Sequence, residues 1–250
     1  MKKHIIYALG MGPGNINLLT PAAEQILKEC DTIVGYTSYL NHFSKLFNGK
    51  TIISNGMRGE VERCKLALDA TIKGEKVAVI SSGDAGVYGM AGLLLELTQK
   101  EQYSSISVEV IPGITAANAA AAVFGAPLMN DYAVISLSNL MTPDDIILKR
   151  LKGVAAAGLV CVLYNPASKK RRELIEKCIS IFSEHRNPET LIGIIKQATK
   201  KEQETTIVKI KDFPFNDINM NTLIIIGNDQ TVLKNGKLYT LRGYSEKYKD

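Results

Sequence analysis

The chain has 250 residues, 46% apolar and 22% charged, which is enough to bury one large core or two smaller ones and excludes a disordered chain. There is no run of about 18 apolar residues, and Met1-Lys2-Lys3-His4 leads straight into a strand-like segment, so neither a membrane span nor a signal peptide is expected and the location expected is cytoplasmic. The net charge of +5 comes from 30 basic and 25 acidic residues mixed along the chain. With no Trp, four isolated cysteines (Cys30, Cys64, Cys161, Cys178) and scattered His4, His42 and His185, it argues against a nucleic-acid partner and a protein-bound metal.

Short apolar runs bounded by Gly, Asn and Ser predict buried strands at Ile5–Leu9, Thr32–Val34, Thr51–Ile53, Val77–Ser81 and Val108–Ile111. Thr20-Pro21 is the chemistry of a helix start, a capping hydroxyl followed by a residue that needs no N–H. Val61, Cys64, Leu68 and Ile72 have helical spacing, and so do Leu93, Leu94 and Leu97. The Ala-rich stretch from Ala116 to Pro127 reads as a hinge. Beyond it, strands are predicted at Ala133–Leu137, Leu159–Leu163, Leu191–Ile195, Thr206–Lys209 and Thr222–Ile226, with an antiparallel pairing of the last two across a helix-free loop containing Pro214. Thr142 is placed as the cap of a helix opening Pro143-Asp144-Asp145. The alternation of strand and helix implies a largely parallel sheet, hence an α/β fold in two domains: residues 1–116, residues 117–243, and a tail at 244–250.

Polar and glycine-rich segments follow the predicted strands, where parallel α/β sheets collect ligands. Gly10-Met11-Gly12-Pro13-Gly14 lacks the third glycine of a dinucleotide loop, and Pro13 removes an N–H that a phosphate cradle would use. Its glycines are read as allowing close ligand approach, with a plain tight turn as the alternative. In Ser82-Gly83-Asp84-Ala85-Gly86-Val87, Asp84 either accepts hydrogen bonds from a ligand or caps a helix beginning near Val87. Pro112-Gly113-Ile114-Thr115-Ala116 offers a hydroxyl at Thr115, and Tyr164-Asn165-Pro166 and Lys196-Gln197-Ala198-Thr199 end two strands of the second half. The basic run Lys169 to Arg172 is read as a solvated helix face, and Tyr36 and Arg58 as candidates for substrate contact.

Four of these segments, Gly10–Gly14 with Leu19-Thr20, Gly83-Asp84, Pro112–Ala116 and Tyr164-Asn165-Pro166, stand in the order and spacing of the tetrapyrrole methylase family, which the chain resembles over about residues 3 to 243. Gly35–Leu40, Gly56-Met57-Arg58 with Glu60–Arg63, and Ser82–Met90 are similar to the branch that methylates C17 of precorrin-3B or cobalt-factor III in cobalamin synthesis. The resemblance implies two α/β domains with S-adenosylmethionine in the cleft between them, leaving as S-adenosylhomocysteine, in a homodimer. It also implies a tetrapyrrole substrate, with cobalt only as part of that substrate and neither nucleic acid nor membrane as partner. By motif position it assigns cofactor contacts to Pro13, Ser82, Gly83, Asp84, Val87, Thr115, Ala116, Asn165 and Ala198. Tyr36 and Arg58 stand where some relatives carry an Asp and a Lys with proposed acid–base roles, so these two are the catalytic candidates. The alternatives are a methylase of another corrin-precursor carbon, a relative modifying protein or ribosomal RNA, and a non-catalytic ligand-binding module.

Overall fold

A computed structural model describes residues 4–56, 59–167 and 172–247, and it divides into two compact units, 1–116 and 117–250. The first unit runs β1 (His4–Gly10), α1 (Pro21–Glu29), β2 (Thr32–Tyr36), α2 (Thr37–His42), β3 (Thr51–Asn55), α3 (Glu60–Ile72), β4 (Val77–Ser81), α4 (Ala91–Leu97) and β5 (Ile106–Ile111). All five strands are parallel, in the order β3-β2-β4-β1-β5. A parallel sheet is covered on both faces, so its strands are apolar throughout. β4 is buried at every residue, and one cluster (Ile6, Val34, Leu68, Val79, Leu94) and another (Leu9, Leu27, Ile33, Phe47, Ile80) contribute core residues of opposite parity along the strands. Each such Leu or Ile contributes about 1.5–3 kcal/mol.

The helix starts follow their local chemistry. The Thr20 hydroxyl accepts the Ala23 N–H at 3.2 Å and Pro21 is the first residue of α1. α3 buries Cys64, Ala67, Leu68 and Thr71, while Val61 and Ile72 at its two ends remain exposed. α4 starts at Ala91, later than the helix expected near Val87, and the Ser81 hydroxyl receives the Met90 N–H at 3.0 Å before its first turn.

The second unit comprises α5 (Ala116–Phe124), β6 (Gly125–Ala126), β7 (Tyr132–Ser136), α6 (Asp144–Ala156), β8 (Val160–Tyr164), α7 (Glu173–His185), β9 (Leu191–Lys196), β10 (Glu204–Lys209), β11 (Thr222–Ile226), β12 (Thr231–Lys234), β13 (Lys237–Thr240) and α8 (Tyr244–Lys247). The Ala-rich stretch read as a hinge is thus α5, followed by the two-residue strand β6 against β13. The main sheet has the order β10-β9-β11-β8-β7, and only β7 and β8 pair in parallel. The expectation of a largely parallel sheet therefore fails in this unit. β10 and β11, expected to pair with each other, instead flank β9 on its two sides, both antiparallel to it. The Pro214 segment between them carries two short 3-10 turns and spans the width of the β9 strand, which a tight hairpin could not do. The cap at Thr142 is also displaced: Pro143 occupies the cap position of α6, with no side-chain hydrogen bond.

The β12–β13 hairpin turns through Asn235 (φ 52°) and Gly236 (φ 72°), the two left-handed residues that a two-residue turn needs. The Asn-Gly pair was a readable hairpin signal that the strand assignment overlooked. Arg186, mostly buried, donates from Nη1 to Ala155 O at 2.7 Å and from Nη2 to Leu159 O at 3.0 Å, closing the end of α6. Among the described residues, no helix is long and apolar enough to cross a membrane.

Candidate functional site

The strand order brings three loops together. β1 lies between β4 and β5, so the segments after these strands emerge side by side at one sheet edge, within about 10 Å. Gly12 N–H donates to Gly83 O (3.0 Å), Gly83 N–H returns to Gly12 O (2.7 Å), and Met11 N–H bonds Ser81 O (2.9 Å). The Asp84 carboxylate completes the assembly, with Oδ1 accepting Gly86 N–H at 2.7 Å and Oδ2 accepting Gly113 N–H at 2.9 Å. Its local role is therefore a clamp between the β4 and β5 loops. It does not cap α4.

Packing alone requires the glycines at the centre of this edge. A Cβ on Gly113 would stand 2.2 Å from Gly83 O, and one on Gly10 would stand 2.6 Å from Gly113 N. A Cβ on Gly12 would meet Leu18 O at 2.8 Å. Gly83 differs: its φ is +70° and the nearest atom to an added Cβ is 3.7 Å away, so its backbone faces a looser space. Pro13 is buried under this edge, Ser82 and Val87 are exposed, and Thr115 and Ala116 are half-buried at the end of the β5 loop. These six, with Asp84, are brought to one edge of one sheet.

On the other side of β4 the same edge opens into a cleft of about 220 Å³, lined by Tyr36, Tyr39, Glu60, Arg63, Ser82 and Tyr88 among others. The Tyr36 and Tyr39 rings meet edge to face, 5.3 Å between centroids. Tyr39 is hydrogen-bonded to Ser82; partial burial raises its phenol above the ordinary value, against a lowering by that bond, and Tyr36 adds to the rise. Tyr88 holds φ at +54°, a strained conformation for a bulky side chain that is found mostly at functional sites. Arg63 is 4% exposed and bonds through Nη1 to the backbone and side-chain oxygens of Asn55, while its buried Nε has no partner among the described residues.

Of the two candidates for substrate contact, Tyr36 lines this cleft and Arg58 lies outside the described residues. Tyr39, Glu60, Arg63 and Tyr88 lie in the three stretches that resemble the C17 branch, but none was given a role of its own from the sequence. The burial of Arg63 had no signal there, since a basic residue inside an amphipathic helix reads as solvated until the packing is known.

In the second unit, β7, β8 and β9 end at one sheet edge. There Asn165 adopts φ 52°, and its Nδ2 donates to the Ser136 hydroxyl at 3.0 Å. Ala198 sits between Gln197 (φ 50°) and Thr199 (φ 65°), whose buried hydroxyl oxygen has no partner among the described residues. Asn165 and Ala198 are separated by the start of β11, to which Gln197 N–H bonds at Asn221 O (3.3 Å). Three non-glycine residues in the left-handed region at one edge are a concentration of strain of the kind held at binding loops. Of the basic run, Lys169, Lys170 and Arg171 lie outside the described residues, and Arg172 bonds Asn216 Oδ1 at 3.3 Å.

Comparison with known proteins gives concordant results. The family model for tetrapyrrole (corrin/porphyrin) methylases matches residues 5–214. A relative from Salmonella typhimurium named probable cobalt-factor III C(17)-methyltransferase is 39% identical over 242 residues, 96% of this chain and all of that protein. One of the same name from Methanocaldococcus jannaschii is 40% identical over 252 residues, 98% of this chain and all of that one. Among solved structures, that of the methyltransferase CobJ superposes with a TM-score of 0.90 at 33% identity, covering 96% of this chain and 100% of that one.

Proposed function

Because the chain belongs to the tetrapyrrole (corrin/porphyrin) methylase family, we propose that it transfers a methyl group from S-adenosylmethionine to C17 of cobalt-factor III, with contraction of the ring, in cobalamin biosynthesis. The observation that carries this reading is the full-length identity to relatives named for that reaction. The aromatic cleft beside the glycine-clamped loops supports it locally.

The donor, when bound, supplies a methyl on a sulfonium that departs to the ring carbon while sulfur keeps the bonding pair. The protein's task is alignment in a water-poor cleft, for which no strong nucleophile is required. The residues fit such a donor. Each Asp84 oxygen receives one N–H and retains acceptor capacity for a hydroxyl. Ser82 and Thr115 offer hydroxyls, and Val87 gives an exposed apolar surface beside them. We assign Pro13, Ser82, Gly83, Asp84, Val87, Thr115 and Ala116, with Asn165 and Ala198 of the second unit, to donor binding. The flat macrocycle takes the tyrosine cleft, so that donor and acceptor meet over the loop 82–90. Tyr36 is assigned the proton movement that ring contraction requires, with Arg58 as its partner in charge recognition. The assignment extends to a homodimer in the cytoplasm.

The test is anaerobic incubation with S-adenosylmethionine and either cobalt-factor III or metal-free precorrin-3B, followed by absorption and product mass. One added methyl and a ring-contraction spectrum on the cobalt substrate are expected. Reaction only with precorrin-3B would move the enzyme to the metal-free substrate, and no transfer to either would overturn the reading. Tyr36→Phe is expected to slow turnover; full activity removes Tyr36 from the proton path.

A further inference from the structure

Arg63 is a buried charge at the cleft that the roles assigned above do not use. It lies in α3, is 4% exposed, and lines the tyrosine cleft. Among the described residues it has no ion-pair partner; even Glu60, one turn earlier on the same cleft, makes none with it. A buried guanidinium without a counter-charge is costly, because desolvation is not offset by attraction. Unlike Arg186, which is also buried with no ion pair among the described residues but closes the end of α6 on backbone carbonyls, Arg63 lines a cleft, where a ligand anion would supply the counter-charge.

Its orientation is arranged by neutral groups. Asn55, at the end of β3, gives its side-chain amide N–H to Gly59 O at 2.9 Å, while its side-chain oxygen and backbone carbonyl accept from Arg63 Nη1. Gly59 makes room for this: a Cβ there would stand 2.4 Å from the Asn55 amide nitrogen. Amide oxygens fix the position of the fork without cancelling its charge. These hydrogen bonds leave from Nη1 alone, and the buried Nε has no partner among the described residues. Among the described residues Nη2 carries no hydrogen bond and is not among the buried atoms, so it is the part of the fork that an incoming carboxylate can reach.

The geometry points to Arg63 as the anchor for one peripheral carboxylate of the macrocyclic substrate, held by Asn55 through Nη1 so that Nη2, the end of the fork not buried, is left for an anion in the cleft of Tyr36, Tyr39 and Tyr88. The inference rests on the methyltransferase reading above and adds a named contact to it. The donor also carries a carboxylate, on its methionine end. The macrocycle is favoured because Arg63 shares its cleft with three aromatic rings suited to a flat ligand, across β4 from the glycine loops.

The decisive experiment compares the whole protein with Arg63→Gln and Arg63→Lys, measuring KM for the tetrapyrrole, kcat, and S-adenosylhomocysteine affinity by calorimetry. Arg63→Gln is expected to raise the tetrapyrrole KM about 10- to 100-fold, the loss of one charge-assisted pair, with S-adenosylhomocysteine affinity unchanged. Arg63→Lys keeps the charge but not the fork and should fall between. If Gln at 63 prevents folding, the Lys variant decides: a tetrapyrrole KM equal to the native one overturns the anchor. Weakened S-adenosylhomocysteine binding with an unchanged tetrapyrrole KM also overturns it and assigns Arg63 to the donor. Lowered thermal stability with both affinities intact overturns it in favour of a strut between α3 and β3. If the native protein methylates no tetrapyrrole, the functional reading and the anchor fall together; turnover by the native protein with an unmoved KM in the variants refutes the anchor alone.

Discussion

The three glycine loops make a graded prediction, because adding the same methyl group at two positions meets two different obstacles. In Gly113→Ala the new Cβ lies 2.2 Å from Gly83 O and 2.8 and 2.9 Å from backbone atoms of Gly10. Nothing there is a side chain that can rotate away, so whole loops must separate, stretching the Gly12–Gly83 pair and the bond from Gly113 N–H to Asp84. Overpacking against backbone costs about 3 kcal/mol or more, which at this chain length lowers Tm by about 6–12 °C. In Gly83→Ala the nearest atom is 3.7 Å away, so only the φ of +70° is penalised, at about 1–2 kcal/mol or about 2–8 °C in Tm. Thermal unfolding of both variants, with calorimetric titration of S-adenosylhomocysteine, separates the effects. Gly113→Ala should lose stability and ligand together. Gly83→Ala should retain most of the stability and still weaken the ligand, since its methyl projects into the looser space at the proposed donor surface. Gly113→Ala with native stability, or Gly83→Ala as damaging as Gly113→Ala, would refute the argument that these loops are packed on one another's backbones.

Two further expectations concern charge. Asp84→Asn turns one acceptor into a donor that must face either Gly86 N–H or Gly113 N–H, so donor affinity should fall at least 10-fold and Tm by several degrees, as read by calorimetry; native values in both would show that the clamp is dispensable. Burial pushes the thiols of Cys30 and Cys64 up to about 11 and that of Cys161 up to about 12, and that of Cys178 well above its ordinary value. An acid whose folded pKa is raised releases its proton more readily on unfolding. Stability is therefore unaffected by these groups below about pH 9 and declines as pH rises from about 9 to 12. Urea melts across that range should show it, with all four thiols unreactive to iodoacetamide at pH 8 until the chain is unfolded. Fast labelling of any one in the native protein would contradict its burial.

The sequence alone determined most of the local architecture. Apolar runs place all ten strands of the two main sheets to within two residues at either end, because a buried strand is a short contiguous apolar segment whatever its neighbours. The Thr20-Pro21 helix start holds because a cap acts over three residues. The ordered motifs Gly10–Gly14, Gly83-Asp84, Pro112–Ala116 and Tyr164–Pro166 pointed to the family, since backbone loops that must pack without Cβ atoms leave a fixed glycine pattern. Strand pairing was decided only in three dimensions: β10 and β11 have the same composition whether they pair with each other or flank β9, and the choice is made by the core they jointly cover. Which glycines stand against a neighbouring backbone was likewise decided by the order β4-β1-β5, which places Gly83, Gly10 and Gly113 side by side. Arg63 shows the limit most plainly. Its identity is local, but its burial, its orientation by Asn55 and its lack of a counter-charge come from the packing of α3 against β3, a long-range fact that no spacing of residues encodes.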